Sequence, residues 1–355
     1  SQKTATEDCL FQKPKIHISA CLRNTYRQGE PMMSQPQLSV NQAAHKLVKK
    51  LCNEADKYGI IVKDTKSGAT LIDAGIEAKG GFLAGKLVTE VCLGGYGKTQ
   101  ISHAMFDDLE FPSIFVHTDY PAIATLGSQF AGWQIKVGDY SAIGSGPARA
   151  LALKPREIYD KICYRDEKDV AVIVLETSRE PPETVITYIA EQSKVTPDNL
   201  SVVLVPTTSI TGAIQVSGRV VETGVHKLMK LGLDPKVITH AWGYAPITSL
   251  HPKFAQAMGR TNDAILYAGT TYYTVQHDND EKLKEIVEKA PSVASKSYGQ
   301  PFYEIFKNAG YDFYKIEPNL FAPAVLMVNN AKTGSIFRAG QTNVEVFKQS
   351  IGLSN

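Results

Sequence analysis

Two apolar, β-branched runs that alternate with helical patterns constrain the fold of this chain more than any other feature. Residues 170–175 form a continuous apolar stretch, and residues 200–205 are apolar except for Ser201; such runs are found in strands that are buried on both faces. A helical pattern opens at Pro181 and Pro182 after the first run, and another extends through Lys230 after the second. Consecutive βα units pack their helices on a sheet that is at least partly parallel. The sequence therefore predicts an α/β fold, with mixed sheets covered by helices.

The flanking segments carry signals for further elements. Ser39 is a predicted N-cap for an amphipathic helix that precedes Gly59. Residues 60–62 and 70–73 flank a glycine turn and predict a hairpin. The pattern also predicts a strand over 264–275, rich in Tyr and Thr, and helices over 280–289 and 301–309.

A length of 355 residues predicts about two domains. Residues 1–38 have mixed charge, three prolines and no sustained helical period, so we interpret them as an N-terminal extension. We expect a first α/β domain over 39–165, joined by the C-terminal segment 281–355. The second α/β domain is expected over 166–280.

Charge and hydropathy exclude several classes of protein. Lysine and arginine number 38 against 36 acidic residues, and no basic block is present that would follow a nucleic-acid backbone. The longest apolar stretch, 320–328, contains Pro323 and is far shorter than the roughly 20 residues that a membrane span needs. The N-terminus also lacks the apolar core of a signal peptide. We therefore expect a cytoplasmic protein that binds neither nucleic acid nor membrane.

Two glycine-rich stretches could bind an anion. The run GGFLAGKL at 80–87 has the glycine and lysine spacing of a phosphate loop, but Leu87 replaces the hydroxyl that would hold magnesium. A glycine turn that opens an ordinary helix is the alternative. The second stretch contains Ser145, Gly146, Pro147 and Arg149, with the proline at a predicted first helical position. It is interpreted either as an anion or substrate site or as a structural turn.

The sequence contains no motif that is typical of a metal site or of an acyl-enzyme nucleophile. The eight histidines never occur at the HExxH spacing, the five cysteines form no CxxC pair, and no GxSxG elbow is present.

Arg219 and Glu222, three residues apart on a predicted helix, could form a pair in which the cation keeps the carboxylate ionised. Such pairs are common on solvated helix faces. However, Arg219 is the only charged residue in 203–221, which favours partial burial.

Several motifs together resemble the methenyltetrahydromethanopterin cyclohydrolases of one-carbon metabolism. They occur in the order of that family and cover the chain from about Ser39 to its end. The matching runs are IDAG at 72–75, TDYPAIATLGSQFAGW at 118–133, GSGPARAL at 144–151, RVVETGVHK at 219–227, YAPI at 244–247 and MGRTNDAILYAG at 258–269.

The resemblance implies a two-domain subunit with an interdomain cleft, assembled as a homo-oligomer, either a trimer or a dimer. It implies reversible hydrolysis of 5,10-methenyltetrahydromethanopterin to 5-formyltetrahydromethanopterin, without a metal or another cofactor. Glu222 matches the family's general base and acid, and Arg219 the residue that orients and tunes it. Two alternatives remain open: a non-catalytic pterin-binding protein, and a nucleotide-dependent phosphotransferase that uses the glycine-rich loops.

The resemblance also suggests substrate contacts. Pterins of this type carry a long tail that can end in phosphate and carboxylate. We expect the helix start with Ser145, Gly146, Pro147 and Arg149 to bind it. Thr118 and Asp119 are candidate contacts with the pterin or the reacting water, and a strand-end cap is the alternative role for Asp119.

Overall fold

A computed structural model of the chain describes residues 38–312 and 315–353. The strands are β1 (Ile61–Asp64), β2 (Thr70–Asp73), β3 (Lys98–Phe106), β4 (Leu109–Thr118), β5 (Trp133–Val137), β6 (Tyr140–Ser145), β7 (Ala171–Glu176), β8 (Leu200–Leu204), β9 (Ile238–Pro246), β10 (Thr270–Val275), β11 (Val325–Asn330) and β12 (Ile336–Gly340).

The α-helices are α1 (Val40–Asn53), α2 (Ala55–Tyr58), α3 (Phe82–Cys92), α4 (Ala148–Ala152), α5 (Arg156–Ile162), α6 (Glu183–Ser193), α7 (Ile210–Ser217), α8 (Val220–Lys230), α9 (Phe254–Ala268), α10 (Asp280–Glu288), α11 (Phe302–Asn308) and α12 (Val344–Ile351). A π-helix spans Ala122–Gln129, and short 3₁₀ turns lie at Pro197–Asn199, Pro235–Val237, Ser292–Ala294 and Pro318–Leu320. None of the helices in the described ranges is long and apolar enough to cross a membrane.

Within the described residues, the strands form two six-stranded mixed sheets, which confirms the predicted α/β fold. The first sheet has the order β1-β2-β8-β7-β6-β5, and the second has the order β12-β11-β10-β9-β4-β3. In the first sheet, β2, β8 and β7 are parallel, and the other pairs are antiparallel. In the second sheet, only the β10–β11 pair is parallel. The two-domain division stays a prediction; its segment 166–280 contributes strands to both sheets.

Most of the predicted elements are confirmed. The two apolar runs are β7 and β8, adjacent parallel strands that are buried along nearly their whole length. Helix α1 begins after Ser39, whose side-chain oxygen accepts a hydrogen bond from the Gln42 amide at 3.0 Å. The predicted hairpin is the antiparallel β1–β2 pair. Local pattern was sufficient for these elements because the apolar runs, the cap and the turn are each contained within a few residues.

The prediction of a single helix through Lys230 is wrong, because the chain breaks between α7 and α8. The Gly218 carbonyl accepts a hydrogen bond from Nε2 of Gln129 at 3.0 Å, outside the helical ladder. A Cβ on Gly218 would lie 2.5 Å from the Thr89 side chain, so this turn packs directly against α3. Arg219 becomes the N-cap residue of α8, with φ −86° and ψ 1°.

The predicted strand over 264–275 is wrong in its first half. Residues 264–268 are the last turn of α9, and the strand β10 begins only at Thr270. The end of α9 is buried around Ala264, Leu266 and Tyr267, which pack with apolar residues of α11 and α12. Gly269, with φ −67° and ψ 132°, ends the helix. Tertiary packing therefore outweighs the local β-branched and aromatic signal.

Candidate active site

The π-helix lies at the centre of the candidate site, because arginine side chains from two other elements converge on its carboxyl end. The last carbonyls of a helix have no partner within the helix and must be satisfied from outside. Nη1 of Arg149 donates to the carbonyls of Leu126 and Ser128, at 3.2 and 3.0 Å. Nη1 of Arg219 donates to the carbonyl of Gln129 at 2.5 Å. Segments of π-helix are rare and occur frequently at functional sites.

Arg219 is held by three neutral groups from three different elements. Oε1 of Gln215, on α7, accepts from Nε at 3.2 Å and from Nη2 at 3.0 Å. Oγ of Ser145, at the end of β6, accepts from Nη2 at 2.9 Å. The third partner is the Gln129 carbonyl, which accepts from Nη1. A guanidinium has five N–H groups, so these four hydrogen bonds leave one N–H on Nη1 uncommitted within the described residues.

Glu222 lies in the first turn of α8 and is only 6% exposed. Its carboxylate makes no hydrogen bond or ion pair within the ranges 38–312 and 315–353, and Arg219 is directed to other partners. Burial raises the pKa of Glu222 from its ordinary value of 4.5 to about 7, while the positive charges of Arg219 and Arg149 lower it. A carboxyl group that titrates near neutral pH can both accept and return a proton.

Arg149 is fully buried, and its contacts are with the protein. Besides the π-helix carbonyls, Nε donates to the carbonyl of Lys154 at 2.8 Å. The guanidinium faces the rings of Phe130 and Tyr159, at 5.2 and 5.5 Å. Only Nη2 has no partner among the residues that the structure describes. Arg149 therefore caps the π-helix and places a second positive charge near Glu222, and its predicted contact with substrate stays a prediction.

The rest of the predicted anion-binding turn is also buried and bonded to protein. Ser145 accepts from Arg219, as described above. The Gly146 amide donates to the Ser128 carbonyl at 2.9 Å, and the Pro147 carbonyl accepts from Nδ2 of Asn41 at 2.9 Å. Helix α4, which follows, has only five residues. These are contacts of a structural turn, and the substrate-binding role of Ser145, Gly146 and Pro147 stays a prediction.

Thr118 and Asp119 lie at the end of β4, where the chain enters the π-helix. Oγ1 of Thr118 donates to the Tyr96 carbonyl at 2.6 Å and accepts from the Tyr120 amide at 3.0 Å. Thr118 is thus the residue that caps the strand end. Asp119 is exposed and makes no hydrogen bond or ion pair in the described part of the chain. No hydrogen bond between described residues links either of them to Arg219 or Glu222.

The sequence analysis did not single out Gln129 and Gln215, which both contribute to this site. Gln129 lies within the motif at 118–133, and its side chain closes the turn at Gly218. Gln215 precedes Arg219 by four residues, the spacing of neighbours on one helix face. That spacing was a signal for the contact, although the helix ends between the two residues.

The glycine-rich run at 80–87 is a packing turn. The Gly81 amide, which a phosphate loop would offer to a ligand, donates to Oγ1 of Thr211 at 3.0 Å. A Cβ on Gly80 would lie 2.3 Å from the same oxygen. The described residues contain no group of three or more His, Cys, Asp or Glu side chains that could hold a metal ion. The expected independence from metal stays a prediction.

Comparison with known proteins places this arrangement in a family. The sequence profile of the family described as Cyclohydrolase (MCH) matches residues 39–351. The methenyltetrahydromethanopterin cyclohydrolase of Methanothermobacter marburgensis is 46% identical over 319 residues, which cover 89% of this chain and 100% of the relative. Those of Methanocaldococcus jannaschii and Methanococcoides burtonii are 45% and 42% identical over 318 residues each, covering 98% and 99% of the relatives and 89% and 90% of this chain. The resemblance inferred from the motifs is confirmed, and the chain belongs to the cyclohydrolase (MCH) family.

Proposed function

We propose that this chain hydrolyses 5,10-methenyltetrahydromethanopterin to 5-formyltetrahydromethanopterin in a reversible reaction. The observation that carries the proposal is the buried Glu222 carboxyl group, which has no partner in the described structure and a pKa of about 7. It lies beside a guanidinium that other groups hold in place. Relatives that align over about nine-tenths of the chain bear the name of this activity.

The chemistry requires a base more than any other group. The methenyl carbon is bonded to two nitrogens that share a positive charge, so it is already electrophilic. Water adds to this carbon as a C–O bond forms, and Glu222 accepts the proton that the water loses. The neutral adduct then collapses: the C–N10 bond breaks, and Glu222 returns a proton to N10. The adduct's hydroxyl loses its proton to solvent as the formyl C=O bond forms.

The two arginines act on Glu222 through their charge in this proposal. Burial alone would favour the protonated acid, which cannot accept a proton from water. The positive charges of Arg219 and Arg149 oppose that effect and keep part of the carboxyl ionised near neutral pH. Arg219 acts without a direct hydrogen bond to Glu222 in this state. Its one uncommitted N–H is available for the oxygen that the substrate gains.

The remaining parts of the proposal concern binding and assembly. The exposed Asp119 is a candidate partner for polar groups of the pterin, and the one uncommitted nitrogen of Arg149 is a candidate for an anionic group. We also propose a homo-oligomer in the cytoplasm, without nucleic-acid or membrane partners. A non-catalytic pterin-binding protein is the alternative. A phosphotransferase is not supported, because the Gly81 amide that would bind phosphate already donates to the Thr211 side chain.

The test is a spectrophotometric assay of the full chain. Methenyltetrahydromethanopterin and the corresponding folate are each added, and the loss of methenyl absorbance is followed against a reaction without protein. We expect catalysed loss with the methanopterin substrate, and the ratio of the two rates gives the preference for the pterin. Tight binding of the substrate without any catalysed loss of absorbance would favour the carrier alternative and contradict the proposal.

A further inference from the structure

We propose that Gln215 is a positioning residue that fixes the Arg219 guanidinium and leaves its positive charge undiminished. Its effect on turnover rests on the proposed function, while its effect on the position of Arg219 does not. The inference begins from the hydrogen bonds that Arg219 makes, all of them with uncharged groups.

The geometry of the pair orients one edge of the guanidinium. One oxygen, Oε1 of Gln215, accepts from Nε at 3.2 Å and from Nη2 at 3.0 Å. Two N–H groups that point at one oxygen direct that edge of the planar fork toward α7. The Sγ atom of Cys92 lies 4.0 Å from the same oxygen and packs against it from α3.

Gln215 is itself held firmly. It is 1% exposed and lies on α7, which begins at Ser209 with a side-chain cap to the Gly212 amide at 3.0 Å. Helix α7 packs closely against α3, because a Cβ on Gly85 would lie 2.7 Å from the Ile214 side chain. A buried side chain on a packed helix has little freedom left to lose, so it can hold a partner at small entropic cost.

The neutral character of this anchor has an electrostatic consequence. A carboxylate at position 215 could make the same two hydrogen bonds but would neutralise Arg219. Glu222 would then lose much of the positive potential that favours its ionised form. An amide oxygen accepts the same two hydrogen bonds and leaves the charge of Arg219 to act on Glu222. A neutral glutamine at position 215 therefore suits the half-buried Arg219.

Two variants separate positioning from charge. Gln215→Met keeps the approximate size and removes the acceptor, so we expect kcat to fall at least about tenfold with KM changed less than about threefold. Gln215→Glu keeps the acceptor and adds a charge, so we expect the acid limb of the pH–rate profile to move to higher pH by about 0.5 to 1. A role limited to stability would not move that limb.

Ser217→Ala is the matched control. Ser217 is fully buried on the same helix and donates to the Pro246 carbonyl at 2.8 Å, away from Arg219. We expect a normal pH profile for this variant. Crystal structures of the wild-type protein and of Gln215→Met provide the readout that is independent of turnover, and we expect the guanidinium to leave its present partners in the variant.

The outcomes are distinguishable. A wild-type protein without turnover contradicts the proposed function, and the two crystal structures then still test the positioning. An unchanged guanidinium in Gln215→Met, or wild-type kcat in that variant, overturns the inference. So does a Gln215→Glu variant that is folded and keeps the wild-type pH profile. If Gln215→Met does not fold, the pH profile of Gln215→Glu decides alone.

Discussion

Nη2 of Arg219 lies 2.9 Å from Oγ of Ser145, and this hydrogen bond links two residues that are 74 positions apart in the chain. Ser145 ends β6 in the first sheet, whereas Arg219 begins α8, which packs on β9 and β10 of the second sheet. The candidate site is therefore assembled where elements of the two sheets meet. The predictions below concern the groups gathered at that point.

Replacement of the proposed base should remove most of the turnover. Glu222→Gln keeps the size of the side chain but cannot accept a proton from water, so we expect kcat to fall by about 10² to 10⁴. Loss of methenyl absorbance is the measurement. Glu285→Gln, at an exposed position on α10, is the control and should leave turnover unchanged. Near wild-type turnover in folded Glu222→Gln would rule out Glu222 as the base.

Arg219 and Glu222 should behave as a unit. Arg219→Ala removes one of the two positive charges that lower the pKa of Glu222, so we expect a severe loss of turnover. Arg219→Lys keeps the charge but cannot make the fork of hydrogen bonds, and we expect an intermediate rate. The double variant with Glu222→Gln should be scarcely slower than the slower single variant. Multiplicative losses in the double variant would show that the two residues act independently.

The pH dependence of the rate should report the buried carboxyl group. Burial raises the pKa of Glu222 to about 7, and only the ionised form can act as the base. We therefore expect kcat/KM for hydrolysis to fall about tenfold per pH unit below pH 7. The profile is measured with the methanopterin substrate in buffers of constant ionic strength. An acid limb near the ordinary glutamate value of 4.5 would contradict this assignment.

The raised pKa of Glu222 should also make the free energy of unfolding depend on pH, in a direction that can be predicted. Between pH 4.5 and about 7 the native state holds the Glu222 proton more tightly than the unfolded state, so the free energy of unfolding decreases as pH rises. Glu222→Gln has no carboxyl group at this position, so its free energy of unfolding does not decrease in this way. We expect the variant to gain about 1 to 3 kcal/mol over the wild-type protein between pH 4 and pH 8.

Denaturant unfolding at a fixed protein concentration measures this difference, since association of subunits would otherwise contribute. Glu285→Gln serves again as the control, and it should follow the wild-type pH dependence. Parallel pH dependence of Glu222→Gln and the wild-type protein would mean that Glu222 titrates at an ordinary pKa.

Turnover should survive exhaustive chelation. In the proposed reaction the positive charge of the substrate activates the methenyl carbon, and Glu222 supplies the base, so no Lewis acid has a step to perform. The assay is repeated after dialysis against a chelator, with and without added divalent metal ions. Loss of activity in the chelator, with recovery on addition of a metal, would contradict the mechanism.

Elements with local signals could be predicted from the amino-acid sequence alone. Strands β7 and β8 follow from two predominantly apolar runs, and α1 follows from its cap and its apolar period. The motifs also identified Arg219 and Glu222 as a candidate pair through family resemblance, although spacing alone did not separate them from a surface ion pair. The predictions of β7, β8 and α1 are confirmed because propensity, capping and periodicity act over a few residues, whereas the roles of Arg219 and Glu222 stay a prediction.

The arrangement of Arg219 and Glu222 follows from tertiary contacts. The break at Gly218 depends on Gln129 and Thr89, which are distant in sequence, and it turns Arg219 from a helix residue into an N-cap. The partners of Arg219 come from three elements. Glu222 is buried without a hydrogen-bond partner among the described residues, and this burial raises its pKa. Burial and long-range hydrogen bonds depend on which segments meet in the folded chain, and no local pattern contains that information.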